Sequence, residues 1–164
     1  MTYFKMLLMT ILTGCAASTG NIPNFHTVDP GLYRGGQPNT AGFVQLKQLG
    51  VHTIIKLNTD YIDEERVTAN QMNIKLVEIP LSGLLAPSEA QEFLVQKALT
   101  DPTLRPTYLH CEHGQDRTGL AFALFRVNED GWTQEKAHQE MMDDGHSPLL
   151  FPMDDYFYDH TGGK

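Results

Sequence analysis

The chain has 164 residues, 41% hydrophobic and 20% charged, which suits one folded domain with a real core and excludes a chain disordered in bulk. With 12 basic residues against 20 acidic ones the formal charge is -8, which excludes sequence-independent nucleic-acid binding and requires any anionic substrate to be held by local positive charge. Seven scattered histidines, with no H-x-x-x-H or C-x-x-C arrangement, give no zinc site, and no cofactor is expected.

Met1 to Gly14 carries Lys5 as its only charge, beside an apolar run from Met6 to Leu12 that is too short to span a bilayer. This is the pattern of a secretory signal; the alternative is a frayed segment or a short hydrophobic helix. Leu12-Thr13-Gly14-Cys15 resembles the lipobox of bacterial lipoproteins. The resemblance implies cleavage after residues 1–14, lipidation of Cys15, export, and contact with the membrane through the lipid anchor only. Ala16, where aspartate would favour the inner membrane, implies the outer membrane and periplasm. Loss of Lys5 leaves 11 basic residues against 20 acidic, a charge of -9. Residues 15–24 are small and polar and read as a linker, so the domain is expected over 25–164.

Asp29-Pro30-Gly31 predicts a turn between His26-Thr27-Val28 and Leu32-Tyr33-Arg34, a small hairpin in which the role of Arg34 stays open. Thr40 to Leu49 has a helical apolar stripe that Gly50 ends, and Val51 to Leu57 is a β-branched, buried strand. Asp60 can cap a charged helix through Met72, and Ile74 to Ile79 is a second strand, which implies a parallel crossover. After the loop from Pro80 to Pro87, Ser88-Glu89-Ala90-Gln91 is a capping box for a helix to Thr100. Thr107 to His110 is expected to be the central strand, Arg117 to Asn128 a buried helix, and Thr133 the cap of the last helix, with Ala137, Met141 and Met142 inward. The aromatic, acidic tail from His146 is expected to pack over the domain edge.

The chemistry concentrates in His110-Cys111-Glu112-His113-Gly114-Gln115-Asp116-Arg117-Thr118-Gly119, between that strand and that helix. A strand, loop and helix N-terminus aim backbone N–H groups and a partial positive charge at one point, which suits an oxyanion and favours a thiolate at Cys111. Arg117 adds a planar, permanently charged fork for two phosphate oxygens. These residues match the C-x5-R-[ST] loop of the protein-tyrosine-phosphatase superfamily, and Leu32 to Pro38 resembles the opening of its dual-specificity-like members. The resemblance implies an α/β fold, with a central, mostly parallel sheet flanked by helices and the phosphate loop between the central strand and a buried helix. It implies phosphomonoester hydrolysis through a phosphocysteine, with Cys111 and Arg117 catalytic and Glu112, His113, Gly114, Gln115 and Thr118 binding substrate. With Cys15 and Cys111 so assigned, neither is left for a disulfide.

Relatives place an acid some thirty residues before the cysteine, where this chain has Leu81-Ser82-Gly83. Glu78 and Glu89 are the neighbouring acids, but Asp116 is the one expected to protonate the leaving group, because the loop resembles that of myotubularin-type phosphatases. Arg117 beside it opposes protonation. The loop also resembles that of cysteine phytases, which implies inositol polyphosphates, with Lys56, Arg66, Lys75 and His146 as candidates for a basic pocket. The alternatives are a protein tyrosine or dual-specificity phosphatase acting on phosphoproteins, a non-catalytic phosphate-binding module, and a rhodanese-type sulfurtransferase.

Overall fold

Turn chemistry opens the fold as expected: Gly31, at φ +75°, lets β1 (His26–Asp29) fold back on β2 (Leu32–Gly35) as an antiparallel hairpin. The structure is a computed structural model that describes residues 21–59 and 63–162. The expected signal segment, Cys15 and Asp60 lie outside the described residues.

Helix α1 (Thr40–Gln48) is capped by Asn39, whose side chain accepts from the Gly42 N–H, and ends at Gly50 with φ +79°. It is followed by β3 (Thr53–Lys56), α2 (Asp63–Gln71) and β4 (Lys75–Glu78). The Ser88–Gln91 capping box forms in both directions and starts α3 (Glu89–Thr100), which a short 3-10 turn, Pro102–Leu104, separates from β5 (Thr107–His110). Helix α4 (Asp116–Asn128) leaves the end of β5, and α5 (Gln134–Asp143) starts at its Thr133 cap.

The five strands run in the order β1-β2-β5-β3-β4, parallel apart from the first pair, so β5 is central as expected. Alternation along the strands divides the core between the two faces of the sheet. Ile54 and Tyr108 pack with Phe43, Leu46 and Ala69 of α1 and α2, whereas Ile55 and Leu109 pack with Val95, Leu99, Ala121 and Phe122 of α3 and α4. Leu120, Ala123, Leu124 and Val127, on the other side of α4, meet Ala137 and Met141 of α5. Two packed faces explain why α4 is apolar nearly all round.

The structure corrects two expectations. Thr133 does not cap the last helix, because the tail contains α6 (Phe151–Thr161), which buries Met153 and Phe157 against α4. Pro152 lies in its first turn, where a missing N–H costs nothing. Residues 21–24 are part of the domain rather than of a linker. Ile22 is buried in the core, and the Pro23 and Asn21 carbonyls accept from the Gly36 and Asn39 N–H groups.

Glu92 on α3 is buried, with Oε1 taking a hydrogen bond from Gln96 at 2.6 Å and Oε2 unpartnered. Burial pushes its carboxyl up to about 7, against the opposing pull of Gln96 and His160. Between the ordinary 4.5 and about 7 the folded chain holds this proton more firmly than the unfolded one, so stability falls as pH rises through that window. The expected loss is about 3 kcal/mol. Urea unfolding of Glu92→Gln across this range should show the slope removed; an unchanged slope would place its cause elsewhere.

Candidate functional site: a loop at the end of the central strand

The two strands beside β5 end level with it, since Gly35 of β2 and Lys56 of β3 are both register partners of His110. The chain then turns through Cys111 to Gln115 into α4. Among the described residues, the N–H groups of Glu112 to Thr118 make no backbone hydrogen bond; Gly119 is the first to return into the helix, onto the Gln115 carbonyl at 2.7 Å. A run of unused donors at a helix N-terminus is a place for an anion. Cys111 opens this run as a free thiol, 2% exposed.

The end of β2 holds the loop's shape. Gly114 has φ +76°, and a Cβ there would lie 2.3 Å from the Gly35 carbonyl carbon. The Gln37 N–H donates to the Glu112 carbonyl at 2.9 Å, and the Gly114 carbonyl accepts from Asn24 Nδ2 at 2.9 Å and Arg34 Nη2 at 3.2 Å. Arg34 is buried; it pairs with Asp144 at 2.6 Å and lies over the Phe122 ring at 5.3 Å. Burial lowers its guanidinium from the ordinary value, against the pull of Asp144. The role left open for Arg34 is therefore that of an internal strut.

Behind the loop stands a buried polar network. His110 Nε2 is 2.9 Å from Glu65 Oε1, and Lys56 Nζ is 3.0 Å from Glu65 Oε2, which also accepts from Gln37 at 2.7 Å. Asn58 donates to Gln37 in turn. Burial pushes the Glu65 carboxyl up, but the hydrogen bonds of His110, Gln37 and Lys56 and the charge of His110 outweigh it and hold the group down at about 2. Sequence reasoning missed Glu65. The available signal was its place one helical turn before Ala69, on the inward side of α2.

Arg117 is 11% exposed; Nη1 donates to the Leu81 carbonyl at 3.4 Å, and Gly83 lies beside the guanidinium. The Leu81-Ser82-Gly83 segment thus does face Arg117, but it offers Ser82, whose Oγ accepts from the Leu84 and Leu85 N–H groups. Glu78 is turned to Arg66, with Oε2 2.8 Å from Nη2. Glu89 is exposed in the first turn of α3.

Asp116 begins α4. Its Oδ1 accepts from the Ser147 N–H at 2.8 Å and lies 3.0 Å from His146 Nδ1. His146 is fully buried; its Nε2 is 3.4 Å from Asp154 Oδ1, which lies 2.8 Å from His138 Nε2. Burial would raise the Asp116 carboxyl, yet His146, the Ser147 amide and Arg117 together bring it below its ordinary value. A carboxylate so held is in the opposite state from a proton donor.

Glu112 and His113 are exposed at the rim, Glu112 Oε2 being 4.0 Å from Arg117 Nη2 and Oε1 3.9 Å from His113 Nε2. Gln115 packs against Gly145. Thr118 Oγ1 is buried without a hydrogen-bond partner, so it neither caps α4 nor bonds the sulfur. The basic residues expected to gather further phosphates do not converge. Lys56 and His146 are buried in pairs, Arg66 is held by Glu78, and Lys75 starts β4 at the opposite end of the sheet.

A family described as DSP-PTPase phosphatase fused to NAD+ kinase matches residues 17–149. The chain is 27% identical over 122 residues to the dual specificity protein phosphatase TpbA of Pseudomonas aeruginosa strain UCBPP-PA14, a match covering 74% of this chain and 55% of that protein. It is 32% identical over 108 residues to the inositol diphosphatase DSP3 of Arabidopsis thaliana, covering 63% of this chain and 53% of that one. The chain spans about half the length of these curated relatives. The crystal structure of P. aeruginosa TpbA matches with a TM-score of 0.73 at 26% identity, over 84% of each chain.

Proposed function

This chain belongs to the DSP-PTPase phosphatase family, and on that premise we propose that it hydrolyses phosphate esters through a phosphocysteine at Cys111. The observation that carries the reading is the run of unused N–H groups between Cys111 and Arg117, at the N-terminus of a buried helix. The Cys111 sulfur attacks phosphorus and the bond to the leaving oxygen breaks. Arg117 and the amides of Glu112, His113, Gly114, Gln115 and Asp116 hold the other oxygens as charge moves onto them. Thr118, whose buried hydroxyl has no hydrogen-bond partner, is assigned in this reading to bond the sulfur as it is released. The Leu12-Thr13-Gly14-Cys15 segment adds export and a lipid anchor to the same proposal.

Inositol phosphates are the first substrate class, supported by the likeness to the Arabidopsis inositol diphosphatase. Phosphotyrosine or phosphoserine proteins are the second, supported by the likeness to TpbA and by a rim that carries Glu112 where a polyphosphate would gain from a cation. With no carboxyl in Leu81 to Leu85 and Asp116 held ionised, the leaving oxygen departs with little help from a proton. Rates should therefore fall steeply as the leaving group becomes more basic. Phosphoanhydrides and nitrophenyl phosphate are expected to turn over about 100-fold faster than alkyl phosphates, the scale of a missing general acid. Phosphate release from an inositol diphosphate, phytate, aryl phosphates and phosphopeptides, with acid-quenched intact protein weighed for phosphocysteine, tests both statements. A flat leaving-group dependence would restore a proton donor, and an absent phosphoprotein with release intact would remove the covalent step.

Charge at the rim gives a further expectation. Glu112→Lys should lower the KM for phytate about 5-fold and that for nitrophenyl phosphate less, with the difference shrinking at high salt. Equal effects on both substrates would mean that Glu112 does not discriminate.

A further inference from the structure

The expected acid of this site is tied to a buried histidine that lies outside the loop motif. His146 lies between two carboxylates, Asp116 of the loop at 3.0 Å and Asp154 of α6 at 3.4 Å. Its side chain is fully buried, and each ring nitrogen lies within 3.4 Å of a carboxylate oxygen, so the two aspartates are the polar neighbours that fix the ring. The titratable and charged groups that face it come from three elements. Asp116, with Arg117 next to it, belongs to α4; Asp154 belongs to α6; and His138 of α5 reaches Asp154 at 2.8 Å from the other side. The carboxylate of Asp144, two residues earlier, is turned to Arg34 and His26, and its backbone carbonyl accepts from Asn24.

We propose that His146 is a positioning residue acting through Asp116, which it keeps in place as the carboxylate that takes the proton of the attacking water when the phosphocysteine breaks. This rests on the phosphocysteine reading of the site. In that step the water oxygen bonds to phosphorus, the P–S bond breaks, and its electron pair returns to Cys111 as thiolate. One water proton passes to Asp116 and from there to solvent or departing phosphate. The division fits the arrangement: a carboxylate kept ionised by His146 and the Ser147 amide has no proton to give in the first step and is free to accept one in the second.

The test is transient kinetics with nitrophenyl phosphate on the full chain and its His146→Gln and Asp154→Asn variants, across pH. His146→Gln is expected to leave kcat/KM, which reports formation of phosphocysteine, within about 2-fold, while kcat drops about 10-fold or more, the smaller end of a general base's contribution. Phosphocysteine should accumulate in the quenched variant, and the acid limb of its kcat profile should move to higher pH. Asp154→Asn alters a partly exposed partner and leaves His146 in place, so it is expected to shift the same limb the same way by a smaller amount. Equal losses in kcat and kcat/KM with unmoved pH profiles in both variants would overturn the proposal and leave His146 as packing. Failure of the underlying reading has a different signature, in which wild-type protein releases phosphate but never yields phosphocysteine.

Discussion

Serine in place of Cys111 is expected to lower phosphate release by about 10⁴-fold or more, the scale seen when a covalent nucleophile is removed. A serine hydroxyl is a poor nucleophile here, because Arg117 and the helix N-terminus stabilise an anion but a hydroxyl, unlike a thiol, stays protonated at neutral pH. The size change is small and Cys111 sits at a strand end with its backbone held by β5, so the fold should survive. Phosphate binding should survive too, since Arg117 and the loop amides are untouched. Residual turnover within 100-fold of wild type would sink the phosphocysteine assignment. Retained binding with lost turnover, followed by titration calorimetry with inorganic phosphate, would separate the nucleophile from the cradle.

Glu65→Ala is expected to cost about 3–5 kcal/mol of stability, because it leaves the Lys56 ammonium buried and unpaired and deprives His110 Nε2 of its acceptor. Activity should fall with it, since His110 precedes Cys111, the proposed nucleophile. The same carboxylate makes the fold acid-sensitive. Its pKa of about 2, against an ordinary 4.5, means that its stabilisation is complete above pH 4.5 and is lost as pH falls toward 2. Urea unfolding should find that slope in the wild type and not in the variant. A loss under 1 kcal/mol would show that the network is not held by its charge. Glu92 acts in the opposite sense above pH 4.5, so the pair sets a stability maximum in mild acid.

Local chemistry explains what was legible in the residues alone. Asp29-Pro30-Gly31, Ser88 with Gln91, Thr133 and the glycines after α1 and α5 each satisfy a backbone need within a few residues, so the elements they bound were expected where they stand. The loop between β5 and α4 was readable for the same reason, as its residues adjoin in sequence. Long-range supports were not. Asn24, Arg34 and Asp144 meet around Gly114 from three separate segments, and Glu65 reaches His110 across 45 residues. Helix α6 escaped notice because Phe151 and Tyr158 are exposed and dilute the stripe of Met153 and Phe157. His146 appeared among basic residues for a pocket, and only its burial between two aspartates gives it another place.

The close fit of Gly35 and Gly36 against Gly114 bears on protein engineering. A Cβ on Gly36 would come 2.8 Å from the Glu112 carbonyl oxygen, as one on Gly114 would meet Gly35, so neither backbone leaves room for a side chain on the other. The ten residues from His110 to Gly119 are thus half of a mould whose other half is the strand end some 75 positions earlier. Grafted alone onto a foreign strand and helix, the motif would lack the surface that shapes it. A transplant that carries Leu32 to Gln37 along, with Asn24 and Asp144 to clasp the turn, moves the unit that this fold actually uses.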